Sequence, residues 1–467
     1  MLSEKKNWSP SSWREKDAKQ QPQYPDKKQL AECVATISTL PPLVDAREVK
    51  RLRNLLSRVH KGEMLILQGG DCAERFSDCT QKIIQIKLRI LLQMSLVLIW
   101  GSRKPVVRIG RIAGQYGKPR SKPTQIVEGV EMASFKGDNV NALEASKEAR
   151  IPDPKRLLEG YFRSSATLNY IRALTSGGFA DLKASLEQHN AENWELDFIK
   201  DVKLREAYEK ITKRLLSSLD FLRVCGGANQ STTDRVEFFT SHEGLVLDYE
   251  EAMTKKDAVP CTKSTKEQPE EAKNVEFFNM GAHFLWIGNR TRQLDGAHVE
   301  YFRGLANPIG IKVGPKMPPD ELIKLIKALD SKNEAGKITL ITRFGYKNVS
   351  KVLPKLLSAV NKEGLKVNWI CDPCHGQTRA TKDGLKTRDF SEILQELQIT
   401  ADIHKENGSR LNGVHFEMTG EDVTECVGGP QELLDHDLHA KYTSACDPRL
   451  NYAQSMEMSF RLAKLLE

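Results

Sequence analysis

The chain has 467 residues, 39% of them hydrophobic, and 70 Lys+Arg against 62 Asp+Glu, a formal charge of +8. This is enough apolar material for one large domain or up to three smaller ones. The mildly basic balance is not that of a dedicated nucleic-acid binder and leaves anionic small molecules as the natural partners.

The first 28 residues are polar and read as an extended arm anchored by Trp8 and Trp13, with no apolar core of a signal peptide. Nine cysteines at irregular spacings then read as reduced thiols, which places the chain in the cytoplasm. Leu30, Val34 and Ile37 recur at helical spacing, and Asp45 caps a second helical pattern through Val49, Leu52, Leu56 and Val59. We divide the chain into an N-terminal extension with helices (1–60) and a catalytic domain (61–467). The apolar run from Ile90 to Trp100 is too short to span a membrane, so no membrane partner is expected.

From residue 64 onward, short apolar runs end in Gly, Asp or Arg and alternate with helical patterns. The runs cover 64–70, 106–114, 283–288, 308–314, 338–345, 367–372, 413–420 and 442–447. Eight such strands predict an α/β chain, a closed (β/α)8 TIM barrel, with a doubly wound sheet as the alternative. The region 122–280 is too long for a crossover; it predicts extra inserted helices between strands 2 and 3, at about 178–225, and a polar loop at about 254–274. The tail 451–466 reads as the last amphipathic helix.

In a (β/α)8 barrel, chemistry collects where strands end. Those ends carry Cys72, Arg111, Lys118, Arg120, Arg290, Lys312, Arg343, His375, Glu417 and Asp447. One kind is cationic: Arg111, Lys118, Arg120, Arg290, Lys312 and Arg343, with Ser121 beside them. Arg forks and Lys point charges suit phosphate and carboxylate, and so many cations at one mouth call for an anionic ligand. The other kind is metal-like: Cys72, His375, Glu417 and Asp447, a mixed soft–hard set suited to Mn, Fe, Co or Zn rather than Mg or Ca. His415, two residues before Glu417 on the same strand face, reads as an interior partner of the ligands. The string "ICDPCHGQT" contains C-x-x-C-H, a haem-attachment pattern. No haem is expected in a chain without an export signal, and Cys371 and Cys374 read as small packing residues beside a functional His375.

These strings resemble the type II 3-deoxy-D-arabino-heptulosonate 7-phosphate (DAHP) synthases over essentially the whole chain. The resemblance is carried by "LQGGDCAERF", "RIAGQYGKPRS", "RIPDPKRLLEGYFRSSATLNYIRA", "TSHEGLVLDYE", "RTRQLDGAHVEYFRGLANPIGIKVGPKM", "HFEMTGEDVTECVGG" and "CDPRLN". It implies a synthase that condenses phosphoenolpyruvate with D-erythrose 4-phosphate and opens the shikimate pathway. It implies a divalent metal, Mn2+ first and Co2+, Fe2+ or Zn2+ next, on Cys72, His375, Glu417 and Asp447. Arg111, Lys118, Arg290, Lys312 and Arg343 would hold phosphoenolpyruvate, with Asn289 in the same subsite; Arg120 and Ser121 would take the erythrose 4-phosphate phosphate. Lys118, Arg111 and His375 would carry the chemistry. A homodimer or homotetramer, with aromatic amino acid effectors, is the assembly expected. Three positions depart from the family pattern: Asn289 stands where Glu is usual, Cys374 where Met is usual, and Phe344 replaces the Met of "TRMG". The first removes a carboxylate expected near phosphoenolpyruvate, so a catalytically weak regulatory or scaffolding relative is the alternative reading.

Overall fold

The computed structural model describes residues 8–127, 129–176, 196, 199, 202–225, 236–257 and 275–466. Eight parallel strands close into a barrel, each hydrogen-bonded to its neighbours in chain order. They are β1 (Leu65–Gly70), β2 (Val106–Arg111), β3 (Phe239–Glu243), β4 (Phe284–Ile287), β5 (Ile309–Val313), β6 (Ile338–Thr342), β7 (Val367–Cys371) and β8 (Gly413–Glu417). The barrel is therefore as expected, but one strand is not where the apolar pattern put it. Residues 442–447 form no strand and belong to the long irregular segment after β8. The missing strand is β3, inside the region read as insertion. Its Thr240, Ser241 and His242 break the apolar run, yet all three are buried.

Register sets which residues share the C-terminal rim. Gly70 lies opposite Arg111 on one side and Glu417 on the other, so β1, β2 and β8 end level. Below that rim the interior is apolar: Ile66, Val107, Ile109, Phe239, Phe284, Trp286, Ile341 and Ile370 pack in one cluster. Leu52, Leu56 and Val59 of the helix Ala46–His60 belong to the same cluster and are fully buried. This helix plugs the N-terminal mouth. Asn368 and Asn412, near the starts of β7 and β8, each donate at 3.0 Å to its carbonyls, those of Leu56 and Val59. Its start is fixed by the expected cap: Asp45 accepts from the Arg47 N–H, and Glu48 accepts from the Asp45 N–H, both at 2.8 Å.

The arm ahead of it is held by the two tryptophans, as expected. Trp13 is buried and donates to Glu251 at 2.8 Å; Trp8 donates to the Glu300 carbonyl at 3.0 Å. The run around Ile90–Trp100 is part of a longer helix, Gln81–Ser102, which is long and apolar enough to cross a membrane by length and composition. In the fold it is a barrel helix, with Leu88, Ile90, Leu91, Met94, Val97 and Leu98 buried. Gly101 sits so close to the C-terminal helix that a side chain there would meet Ala463. Between β2 and β3 lie a hairpin (Thr124–Val127 with Val130–Ala133) and the helices Lys155–Ser176 and Val202–Cys225. Tyr208 of the latter stacks on Phe460 at 4.0 Å. Residues 178–195, 197–198 and 200–201 of the expected insertion and 258–274 of the expected polar loop lie outside the described residues.

Candidate active site

The loop after β1 brings Cys72 to the C-terminal mouth, and buried charges hold it there. Asp71 accepts from Lys87 and Arg449, each at 2.5 Å. Glu74 accepts the N–H groups of Ala113, Gly114 and Gln115 at 3.1, 3.0 and 2.9 Å. Glu74 thereby fastens the Cys72 loop to the loop after β2, which carries Lys118.

Cys72, Glu417 and Asp447 present donor atoms all within 4.8 Å of one another. His375 adjoins this group through Glu417, its Nε2 lying 2.9 Å from Oε1. Its Nδ1 lies 2.6 Å from Asp372, a carboxylate–imidazole arrangement typical of metal-ligating histidines. The Lys118 ammonium sits among the donors, 2.6 Å from Cys72 Sγ, 3.0 Å from Asp447 Oδ2 and 3.5 Å from Glu417 Oε1. A cation drawn into the centre of a thiol and two carboxylates is what a divalent ion would also experience, so the residues fit a metal. Burial would raise the Glu417 carboxyl, but His375, Lys118 and Arg388 hold it well below the usual range. Burial lowers the His375 imidazole, which favours the neutral, ligating form. Asp447 owes its place to no strand. Lys386 holds its Oδ1 at 2.7 Å, and the buried Arg449 nearby is gripped by Glu425 at 2.8 Å.

Beside the donor group lies the cationic one. Arg111 is buried and spends its guanidinium on the Asp71 carbonyl (2.8 Å), the Cys72 carbonyl (2.9 Å), Glu417 (3.1 Å) and His415 (2.7 Å). His415 passes the contact to Gln68 at 2.8 Å; its hydrogen bonds thus go to Arg111 and Gln68 inside the barrel. Lys312 pairs with Asp372, and burial lowers its ammonium to about 8. Arg343 donates to the His375 carbonyl, and its buried Nε has no partner among the described residues. Arg290 reaches Ser121 at 2.5 Å, joining the loop after β4 to the "KPRS" loop. There Arg120 bonds Gln125 at 3.0 Å and touches Cys446 at 3.6 Å. Asn289 is not drawn into this network; its Oδ1 accepts from Arg292 at 3.3 Å.

Sequence reasoning missed several members. Glu243, at the end of the unrecognised β3, is partly buried, with a buried Oε1 that has no partner among the described residues. Burial raises its carboxyl, against the pull of Lys118, Lys312, Arg290 and Arg111. It lies against the Gly288–Asn289 turn: a side chain at Gly288 would fall 2.0 Å from its Oε1. Glu396, from the helix Phe390–Glu406, accepts the N–H groups of Phe344 and Gly345 at 2.8 and 2.9 Å and the Gln377 amide at 2.8 Å. It clamps the loops that follow Arg343 and His375. Asp372 was visible in "ICDPCHG", whereas Arg388 and Glu396 sit in ordinary polar sequence that gives no signal. The two cysteines of the haem-like string are packed: both are buried in one apolar cluster, and burial pushes the Cys374 thiol up to about 12.

Fold and site together define a (β/α)8-barrel enzyme with a metal-ready donor group beside an anion-binding cluster. The class-II DAHP synthetase family model matches residues 8–463. A Neurospora crassa protein named phospho-2-dehydro-3-deoxyheptonate aldolase is 47% identical, covering 98% of this chain and 94% of its own length. Proteins of that name from Streptomyces coelicolor (43%; 97% and 96% covered) and Mycolicibacterium smegmatis (41%; 97% and 93%) are similar in the same way. The chain belongs to the class-II DAHP synthetase family, which is metal-dependent.

Proposed function

We propose that this chain is an active 3-deoxy-7-phosphoheptulonate synthase, converting phosphoenolpyruvate, D-erythrose 4-phosphate and water to DAHP and phosphate. The observation that carries this is the juxtaposition, at one barrel mouth, of the Cys72–Glu417–Asp447 donor group with Arg111, Lys118 and Lys312. A donor group alone would suit many hydrolases; the cations beside it suit two phosphorylated substrates that would otherwise repel each other.

C3 of phosphoenolpyruvate attacks the aldehyde carbon, the aldehyde oxygen takes a proton, and positive charge develops at C2. Water adds at C2, loses a proton, and phosphate departs with cleavage of the C–O bond. Cys72, His375, Glu417 and Asp447 would hold a divalent cation, Mn2+ in our reading, whose Lewis acidity polarises the aldehyde oxygen when bound. Arg290, Lys312 and Arg343 orient phosphoenolpyruvate, and Arg120 with Ser121 takes the phosphate of erythrose 4-phosphate. Lys118 and Arg111, which both lie against Glu417 Oε1, stabilise the oxygen on which charge develops. Glu243 supplies the carboxylate that position 289 lacks: its raised carboxyl and unpartnered oxygen suit a group that takes the proton of the attacking water.

The test is turnover of both substrates by purified protein, with Glu243→Gln and Asn289→Glu alongside. In this reading Glu243→Gln loses about 10²–10⁴-fold in kcat with its fold intact. Retention of full kcat by that variant would return the water-side role to another group. The regulatory-subunit alternative is not favoured, since no member of the donor or cation sets is replaced.

A further inference from the structure

We propose that Arg388 is a positioning residue of the metal centre, one that confines Glu417 to a single ligating oxygen and ties together the loops bearing His375, Glu417 and Asp447. The proposal rests on the metal reading given above. Arg388 is fully buried, a costly place for a guanidinium unless each nitrogen is used. Each is. Nε donates to Thr378 Oγ1 at 3.1 Å, three residues beyond His375. Nη1 donates to the carbonyl of Pro448, next to Asp447. Nη2 donates to Glu417 Oε2 at 2.6 Å. One planar fork therefore touches three of the four ligand-bearing segments, a geometry that a lysine ammonium cannot reproduce. Its backbone is equally fixed. The Arg388 carbonyl accepts from the Val427 N–H at 2.9 Å, and Asp389 caps the helix Phe390–Glu406 by accepting from the Ser391 N–H at 2.8 Å.

The two oxygens of Glu417 are thus separated in function. Oε1 faces His375 (2.9 Å), Arg111 (3.1 Å) and Lys118 (3.5 Å), on the donor side. Oε2 is committed to Arg388. Two-oxygen coordination by Glu417 would make Oε2 share its lone pairs between the ion and Arg388 and weaken the 2.6 Å bond. Large hard cations such as Ca2+ use two-oxygen carboxylates and many oxygen ligands, whereas Mn2+, Co2+ and Zn2+ accept a one-oxygen carboxylate with thiolate and imidazole. Arg388 accordingly contributes to metal choice as well as to affinity.

The experiment titrates full-length, metal-stripped protein with Mn2+, following free Mn2+ by electron paramagnetic resonance. It compares wild type, Cys72→Ala, Arg388→Lys, Arg388→Gln and Thr378→Val; Thr378 is exposed, so the last tests one anchor without burying a change. Folding is checked by circular dichroism. The expected result is Mn2+ affinity about 10–100-fold weaker in both Arg388 variants, with a smaller, severalfold loss in Thr378→Val. The preference for Mn2+ over Ca2+ narrows, and the visible bands of the Co2+-loaded Arg388 variants shift while the thiolate-to-cobalt band stays. Arg388 variants that match wild type in affinity and Co2+ spectrum overturn the proposal. If they do not fold, unchanged affinity and spectrum in Thr378→Val overturn it. Failure of the underlying metal reading looks different: wild type binds no Mn2+, or Cys72→Ala binds it equally well, and the proposal falls with it.

Discussion

His375 illustrates how one side chain is given its task by its neighbours. Asp372 lies 2.6 Å from Nδ1 and Glu417 2.9 Å from Nε2, so the ring is oriented between two carboxylates. Replacing His375 or Cys72 by alanine should abolish synthase turnover and lower Mn2+ affinity at least tenfold; either variant retaining full activity and metal content would show the ligand set to be wrong. Glu396 gives a pH-dependent prediction. Burial pushes its carboxyl up to about 7, against the pull of the Phe344 and Gly345 N–H groups and Gln377. The unfolded chain releases this proton near its ordinary value, while the fold keeps it until about 7. Stability from this group is therefore present at acid pH and lost as pH rises through 7. Glu396→Gln has no such loss, so it should match wild type near pH 4 and gain on it above pH 7, by up to about 3 kcal/mol. Thermal unfolding at the two pH values measures this; a gap that shrinks with rising pH contradicts it. Cys374 could be judged a packing thiol from its surroundings in sequence, and burial bears that out. Arg388 could not be foreseen, because its three partners lie on segments far apart in sequence.

At the scale of elements, the helix Ala46–His60 shows a pattern that sequence does reveal. Val49, Leu52, Leu56 and Val59 form one apolar stripe, and all four are buried. Its position as a plug was not legible, because an amphipathic stripe does not name the surface it covers. Leu56→Ala should cost about 2–5 kcal/mol and lower the unfolding temperature, while kcat/KM per folded molecule stays near wild type, since the plug is at the opposite mouth from the site. A large fall in kcat/KM without loss of stability would contradict this division. Strand β3 marks where pattern reading fails. A barrel interior can be polar near its mouth: the Gln68 amide donates to Ser241 Oγ at 3.0 Å, and Ser241 donates to the Gly110 carbonyl at 3.0 Å. With the Ser241 hydroxyl satisfied by β1 and β2, β3 needs no apolar run there. The segment 442–447 imitated a strand by ending in Cys-Asp, but its Asp447 is placed by ion pairs with Lys118 and Lys386, which leave no periodic trace.

For the whole molecule, closure of the barrel is what makes the site. Cys72 follows β1 and Glu417 ends β8, the two strands that meet only when the sheet closes. Lys118 from the β2 loop and Asp447 from beyond β8 then complete a group that no local stretch contains. The division into cation-bearing and metal-like strand ends was legible because a (β/α)8 barrel gathers strand ends at one mouth. The inward placement of Lys118 against Cys72 was not, since that depends on side-chain reach. The account stands most directly on one measurement: metal-stripped protein supplied with phosphoenolpyruvate and erythrose 4-phosphate, assayed for both products with and without Mn2+. It predicts DAHP and phosphate in equal amounts, only when metal is present, abolished by chelator and restored by excess Mn2+. No consumption of phosphoenolpyruvate with Mn2+, Co2+, Fe2+ or Zn2+ would contradict it.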